Sequence, residues 1–438
     1  MIQALQFILS LSILIVLHEM GHFIPAKLFK TKVEKFYLFF DPWFSLFKIK
    51  RGETEYGIGW LPLGGYVKIS GMIDESMDKE QLKQPAQPWE FRSKPAWQRL
   101  IIMVGGVTVN VILGVLIYSM VLFAWGEEYL PTKNLKYGIA CDSLALQMGL
   151  KDGDKIIAVD NKEVESFNKI PLEIILNKAQ SVQVERNGQK VDIAIKEDII
   201  SQLIKQQAES FFIEPRLPNV IDSVLTDKPA YKAGIIKGDK IIAVNGTATA
   251  YYNDVKKIVS ENKNKSVDFI ILRGADTLKL TSEVDEDNKV GFIGPFDLKK
   301  YFEVKTREYG FFESFPAGMR KGGETFTSYI KQMKILFTVK GAHKSLGGFI
   351  SIGKAYGKTW DWQHFWVITA LLSIVLAIMN ILPIPALDGG HVMFLLYEVV
   401  TKRKPNEKVM EYAQYAGMIL LLALLLYANG NDIIKNFF

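Results

Sequence analysis

The stretch LSILIVLHEMGHFIPAKLF, Leu11–Phe29, places His18, Glu19 and His22 at the end of a run apolar enough to span a membrane. Ionisable groups are costly in hydrocarbon, so three of them at that depth point to a function rather than to packing. The two histidines stand four residues apart. On a helix with about 3.6 residues per turn both imidazoles face one side, one turn apart, where both reach a single ion. Zinc accepts neutral imidazole nitrogen, and its catalytic sites take three protein ligands and leave the fourth position to water. A bound zinc lowers the pKa of that water, and Glu19 is placed to take its proton and pass it to a leaving amine.

The chain has 438 residues, is 49% hydrophobic, and carries 53 Lys and Arg against 47 Asp and Glu, a formal charge of +6. That excess is too mild for a nucleic-acid binder, and the apolar share directs attention to further spans. Three more runs qualify: LIIMVGGVTVNVILGVLIYSMVLFAW from Leu100, FWVITALLSIVLAIMNILPIPAL from Phe365, and YAQYAGMILLLALLLYA from Tyr412. The first run resembles a signal peptide, but no Lys or Arg precedes it, no small-residue cleavage site follows it, and its end carries the histidines. It is therefore read as retained.

Charge sets the orientation. Lys27, Lys30, Lys32, Lys35, Lys94 and Arg99 lie between spans one and two, and Lys402, Arg403, Lys404 and Lys408 between spans three and four. By the positive-inside rule both loops are cytoplasmic, while both termini and the long insert between spans two and three are extracytoplasmic. The single Cys141 lies in that insert, which therefore has no internal disulfide.

Orientation restricts the third metal ligand. Spans one and three run in the same direction, so His18 and His22 lie at the same depth as the end of span three. There the sequence reads MNILPIPALDGGHVM, Met379–Met393, and Asp388 is the expected ligand, with His391 as its competitor. His343 and His364 fall outside or at the opposite interface and are read as structural. Pro383 and Pro385 break span three and bend Asp388 inward.

The insert repeats itself. SLALQMGLKDGDKIIAVDN from Ser143 matches KPAYKAGIIKGDKIIAVNG from Lys228 at a constant offset of 85 residues, with GDKIIAV identical in both. These are two copies of one α+β domain. Each resembles a PDZ domain in the permuted arrangement of bacterial proteases, which implies either capture of extended peptide ends by strand addition or a rigid spacer and size filter. Beyond them, Phe326, Ile330, Met333 and Phe337 recur at helical spacing beside Lys331, Lys334 and Lys340. Such a helix lies on the membrane surface or packs on the domains.

As a whole the chain resembles the site-2 protease family, the intramembrane zinc metalloproteases, in the regulator-of-sigma-E type with tandem PDZ domains. HEMGH, LPLGGYVKISG from Leu61 and NILPIPALDGG from Asn380 carry the likeness, in that order. The resemblance implies one catalytic zinc held by His18, His22 and Asp388, Glu19 as base, and Asn380 as a substrate-positioning residue. Two positions depart from the family pattern: Val107 and Phe349 stand where proline is usual, which puts local backbone shape in doubt.

A helical substrate hides its carbonyls, and an unpaired backbone group in lipid costs several kcal/mol. EYGIGWLPLGGYVKISGM, Glu55–Met72, alternates on both sides of Gly64 and Gly65 and reads as a membrane-associated β-hairpin. Gly64, Gly65 and Tyr66 are then expected to bind substrate along its edge.

The expected architecture is a multi-pass α-helical membrane protein with four transmembrane helices, that hairpin, and an inserted pair of α+β PDZ domains. Its parts are span one over 1–24, a cytoplasmic loop over 25–98 with the hairpin at 55–72, and span two over 99–125. The PDZ domains follow over 126–208 and 209–296, then an amphipathic region over 297–363, span three over 364–387, a loop over 388–410 and span four over 411–429. The expected partners are a lipid bilayer and single-span protein substrates already trimmed by another protease, such as an anti-sigma factor or remnant signal peptides. The chain is read as a monomer of the bacterial inner membrane that binds no nucleic acid. A transporter would show an inverted repeat among its spans, and none is seen. A scaffold carrying an inactive protease is the remaining rival, and the intact HExxH argues against it.

Overall fold

The computed structural model describes residues 1–72, 84–206, 212–285, 290–295, 297–339, 342 and 346–437. The chain divides into two compact units, Met1–Gly126 with Glu308–Leu336 and His343–Phe438, and Glu127–Arg307 with Phe337–Ala342.

In the first unit, four helices among the described residues are long and apolar enough to cross a membrane: Ile2–Leu28, Ala96–Trp125, Trp362–Ile381 and Lys408–Ile434. Span three stops at Ile381, short of the expected boundary, because Pro383 and Pro385 cannot continue the helical hydrogen bonds. Span four belongs to a helix running from Glu407 to Phe437, longer than its apolar core suggests. Spans one and two cross with their backbones in contact. A Cβ on Gly21 would lie 2.5 Å from the Gly105 carbonyl oxygen, and one on Gly105 would lie 1.9 Å from that of Gly21. Polar side chains tie the other spans, with Thr369 donating to Ser10 at 2.9 Å and Ser373 to the Asn110 carbonyl at 2.7 Å.

The expected hairpin at 55–72 is not formed. The segment instead supplies two strands of a four-stranded sheet, β1 (Val33–Leu38), β2 (Phe40–Arg51), β3 (Thr54–Leu61) and β4 (Tyr66–Ile69), in the order β2-β3-β1-β4. β3 pairs parallel to β1, and β4 antiparallel to it on the other side, so β1 separates the two arms of the predicted hairpin. The hairpin in this sheet is β2–β3, turned at Gly52 with φ +60°. Gly64 and Gly65 serve a crossing rather than a turn: a Cβ on Gly65 would lie 2.4 Å from Ile15 of span one and 2.7 Å from the Tyr37 carbonyl oxygen. β4 is left as an edge strand.

The expected loop over 388–410 is largely helix, Asp388–Thr401. Its Val392 and Leu395 are buried against Ile102 and Met103 of span two, and Glu398 pairs with Arg99. Apolar residues at helical spacing account for it, and the basic cluster that marked a loop begins at Lys402, where the helix ends. The helix Phe311–Thr338 packs on spans two and three, which neither sequence expectation named. Gly318 and Gly322 lie against Val115 and Ser119, and Tyr329 and Met333 join a cluster of Ile117, Tyr118, Ala370 and Ile374. Phe326 and Ile330 stay exposed. Lys340, His343 and the Phe337 side chain lie outside the described residues.

In the second unit two sheets share one strand order. Strand Lys155–Val159 lies between Lys162–Glu163 and Ser181–Arg186, with Gln189–Ala194 outermost; Lys240–Val244 lies likewise between Thr247–Ala248 and Ser266–Arg273, with Asp276–Glu283 outermost. Both carry a register shift at the same place, Ile156/Ala158 and Ile241/Ala243. Both also carry the same forked ion pair: Arg186 grips Asp154 at 2.7 and 2.8 Å, and Arg273 grips Asp239 at 2.8 Å through both nitrogens. Ile241, Val244, Val267, Phe269 and Ile271 are fully buried in the second copy, each contributing about 1.5–3 kcal/mol. The boundary between copies lies later than residue 208, because Ile213–Pro215 pairs back onto Ile139–Cys141 of the first copy. The strands Glu127–Tyr129 and Lys305–Arg307, where the chain enters and leaves this unit, pair with each other.

The crossing of spans one and two leaves no room for a side chain. Gly105→Val is expected to cost about 1–3 kcal/mol or more through overpacking and to lower the bound-zinc content. Thermal unfolding and metal analysis of the detergent-solubilised full-length protein check this.

Candidate metal centre

Span one presents His18 and His22 on one face, and the break after span three brings Asp388 to them as the first residue of its helix. His18 Nε2, His22 Nε2 and Asp388 Oδ2 form a triangle with all three sides 3.3 Å. A tetrahedral zinc with ligands at about 2.0–2.1 Å requires an edge of about 3.3–3.4 Å, so the triangle is one face of that tetrahedron. Asp388 Oδ2 is buried without a hydrogen-bond donor, which an acceptor aimed at a metal should be. Among the described residues, His18, His22 and Asp388 are the group able to hold a metal ion. His391, one turn further along the same helix, lines the cavity without joining them.

Span two supplies the outer support. His22 Nδ1 lies 2.8 Å from the Ile102 carbonyl, to which it donates, so its Nε2 lone pair is free for a metal. His18 Nδ1 lies 3.1 Å from the Asn110 amide nitrogen, while Asn110 Oδ1 is buried without a partner. Turning the Asn110 amide over resolves both: Oδ1 then accepts from His18 Nδ1–H, and His18 Nε2 is likewise free. Gly106 makes room for the rings, since a Cβ there would lie 2.3 Å from His22 Nε2 and 2.6 Å from His18 Cε1. With Val107 rather than proline the helix runs unbroken from Gly106 to Asn110. Phe349 has its own compensation, because its N–H donates to Asn429 Oδ1 at 3.1 Å, a bond that proline cannot make.

The remaining expected site residues converge on the same place. Asn380 Nδ2 lies 3.3 Å from His18 Nε2. Glu19 is half-buried beside the three ligand candidates and accepts a hydrogen bond from the Val67 backbone N–H, so the outer edge of β4 faces its carboxylate. A cavity of about 660 Å³ is lined by His18, Glu19, Gly65, Tyr66, Asp388 and Gln414 among others. Gly64 sits beside it, over the Phe40 ring. The Tyr66 ring stacks between those of Tyr37 and Phe40, at centroid distances of 5.3 and 6.0 Å, and its hydroxyl donates to Asp41 at 2.8 Å. Burial and the Asp41 carboxylate raise the Tyr66 phenol, and burial pushes that of Tyr37 up to about 12, so both remain hydrogen-bond donors at neutral pH. His364 is remote from this group, bonded to the Ala355 carbonyl at 2.7 Å.

Sequence reasoning passed over Gly21, Gly105, Asp41 and Gln414. Gln414 carried a legible signal, a polar amide inside an apolar span. The glycine contact did not, because it depends on which helices cross.

Two imidazoles and a carboxylate on one tetrahedral face, with a second carboxylate beside them and membrane-length helices around them, define a membrane metallopeptidase site. The chain belongs to peptidase family M50, whose family model matches residues 6–424. It is 29% identical to the regulator of sigma E protease of Haemophilus influenzae, over 98% of both chains. It is 30% identical to the regulator of sigma-E protease RseP of Escherichia coli and 28% identical to a putative zinc metalloprotease of Vibrio cholerae, each over 97% of both chains. The chain is thus a zinc metalloprotease of the membrane.

The support from Asn110 is open to measurement. Asn110→Ala removes the acceptor for His18 Nδ1–H and is expected to weaken zinc binding about 10–100-fold. Competition with a chelator, read by metal analysis, gives the ratio.

Proposed function

We propose that this protein hydrolyses peptide bonds within the transmembrane segments of single-span proteins already trimmed by another protease. His18, His22 and Asp388 hold the zinc, and Glu19 is the base. The observation that carries this reading is the outer edge of β4, set against Glu19 in a cavity lined by the sheet and by residues of spans one, two and four. Zinc, when bound, supplies Lewis-acid polarisation of the scissile carbonyl and of the attacking water. The rest of the chemistry falls to the chain. Glu19 accepts the proton of the water and returns it to the departing amine nitrogen. Asn380, beside His18, donates to the substrate carbonyl as negative charge develops on it.

A transmembrane helix presents no free backbone to such a site. The outer edge of β4, Tyr66–Ile69, offers N–H and C=O groups to replace those lost when the substrate unwinds, so the substrate adds as a strand. Gly65 and Tyr66 line the route, with Gly64 beside it. The positive-inside rule places the basic connections in the cytoplasm, and with them the metal end of span one. Both termini and the two repeated domains then lie outside the inner membrane. The repeated domains, read as PDZ domains, act as a size filter that turns away substrates with bulky outer parts. The similarity to regulators of sigma E proteases supports an anti-sigma factor or remnant signal peptides as substrates, cleaved by a monomer.

The test is cleavage of a single-span candidate substrate lacking its outer domain. Glu19→Gln is expected to keep stoichiometric zinc and lose at least about a hundredfold in kcat; equal cleavage by wild type and variant would sink the assignment. Val67→Pro disrupts the β4 edge, removing with it the N–H that Glu19 accepts, and is expected to reduce cleavage with zinc content unchanged. Normal cleavage by that variant would refute strand addition.

A further inference from the structure

An extended substrate strand points its backbone groups to two sides alternately, and one sheet edge satisfies one side. At membrane depth the other side also needs partners. The proposed strand-addition reading, on which this inference rests, therefore calls for hydrogen-bond groups on another wall of the cavity.

Gln414 of span four provides one. The residue is 7% exposed and lines the cavity with His18, Glu19, Val67 and Asp388. The Ala386 N–H lies 3.2 Å from its amide oxygen, and because an N–H requires an acceptor, this contact fixes which end of the amide is oxygen. For Nε2 no protein acceptor within hydrogen-bond distance is found among the described residues. One turn along the same helix, Gly417 meets the Pro385 carbonyl, where a Cβ would lie 1.6 Å from the oxygen. The helix is thereby pressed onto the 382–387 segment, and Ala386 is held at φ +82°, a conformation that non-glycine residues rarely adopt.

We propose that Gln414 is a substrate-binding residue. Its oxygen is committed to Ala386, and its Nε2–H donates to a backbone carbonyl of the unwound substrate on the side that β4 does not reach. The ligand is the peptide main chain itself, so this contact recognises extended conformation rather than side-chain identity. It adds a third protein element, besides β4 and Asn380, to the grip on the segment being cut.

The experiment uses full-length protein in micelles and synthetic single-span peptides in which successive backbone amides near the scissile bond are replaced by esters, whose carbonyls are weaker acceptors. Gln414→Met is expected to bind stoichiometric zinc and to lose about three- to tenfold in kcat/KM, the worth of one hydrogen bond. At one position the ester should slow wild type by a similar factor and the variant by none. Equal ester sensitivity of the two proteins at every position would overturn the proposal. Should Gln414→Met lose zinc through disorder of the Ala386 segment, the same comparison is made with Gln414→Glu, which keeps an acceptor for Ala386 and changes the donor end. Loss of sensitivity at one position there supports the proposal, and undiminished sensitivity overturns it. Failure of strand addition is recognised separately, by normal cleavage in Val67→Pro.

Discussion

The backbone contact between Gly21 and Gly105 is the interaction on which the metal site depends. In a bilayer, lipid tails are as apolar as leucine, so helices gain little from burying side chains against each other and gain instead from close backbone packing. Here that packing has a chemical consequence. With spans one and two in contact, both imidazoles lie over Gly106, His22 reaches the Ile102 carbonyl, and His18 reaches Asn110. Each ring then has one nitrogen engaged by span two and the other turned toward Asp388. A side chain at the crossing would move all of these together.

The third member of the triangle depends on a different constraint, the interruption of span three. Pro383 and Pro385 end the helix at Ile381, and the chain resumes helical geometry at Asp388. Glycines make the fold-back possible: a Cβ on Gly389 would lie 2.2 Å from the Leu382 carbonyl oxygen, and one on Gly390 2.6 Å from the Pro385 Cα. The carboxylate thus sits at the N-terminal end of a helix, where a negative charge is favoured. Irregular backbone at this depth is tolerated because it lines a cavity and has partners, among them Gln414 for the Ala386 N–H.

The sheet brings in the third component. β1 holds β3 and β4 on its two sides, and the stacked rings of Tyr37, Tyr66 and Phe40 stiffen the strand nearest the metal group. Asp41 holds both Tyr66 and Ser45, which ties β2 into the same network. The result is an edge strand held rigidly beside a half-buried carboxylate. That combination suits the proposed strand addition.

Much of this was determined by the sequence alone. Spacing put His18 and His22 on one helical face, apolar length marked four spans, and the positions of lysine and arginine assigned Asp388 to the depth of the histidines. The repeat was legible because identical residues recur at a constant offset. The tertiary structure decided which strands pair, that the chain after Asp388 is helical, and that Gly21 meets Gly105 and Gln414 meets Ala386. Alternation along Glu55–Met72 correctly indicated strands, but the partner of both was β1, placed earlier in the chain. Local periodicity reports which face of an element is apolar. It carries no information about which distant element comes to lie against that face, because pairing and crossing are set by the fit of whole surfaces brought together by the fold.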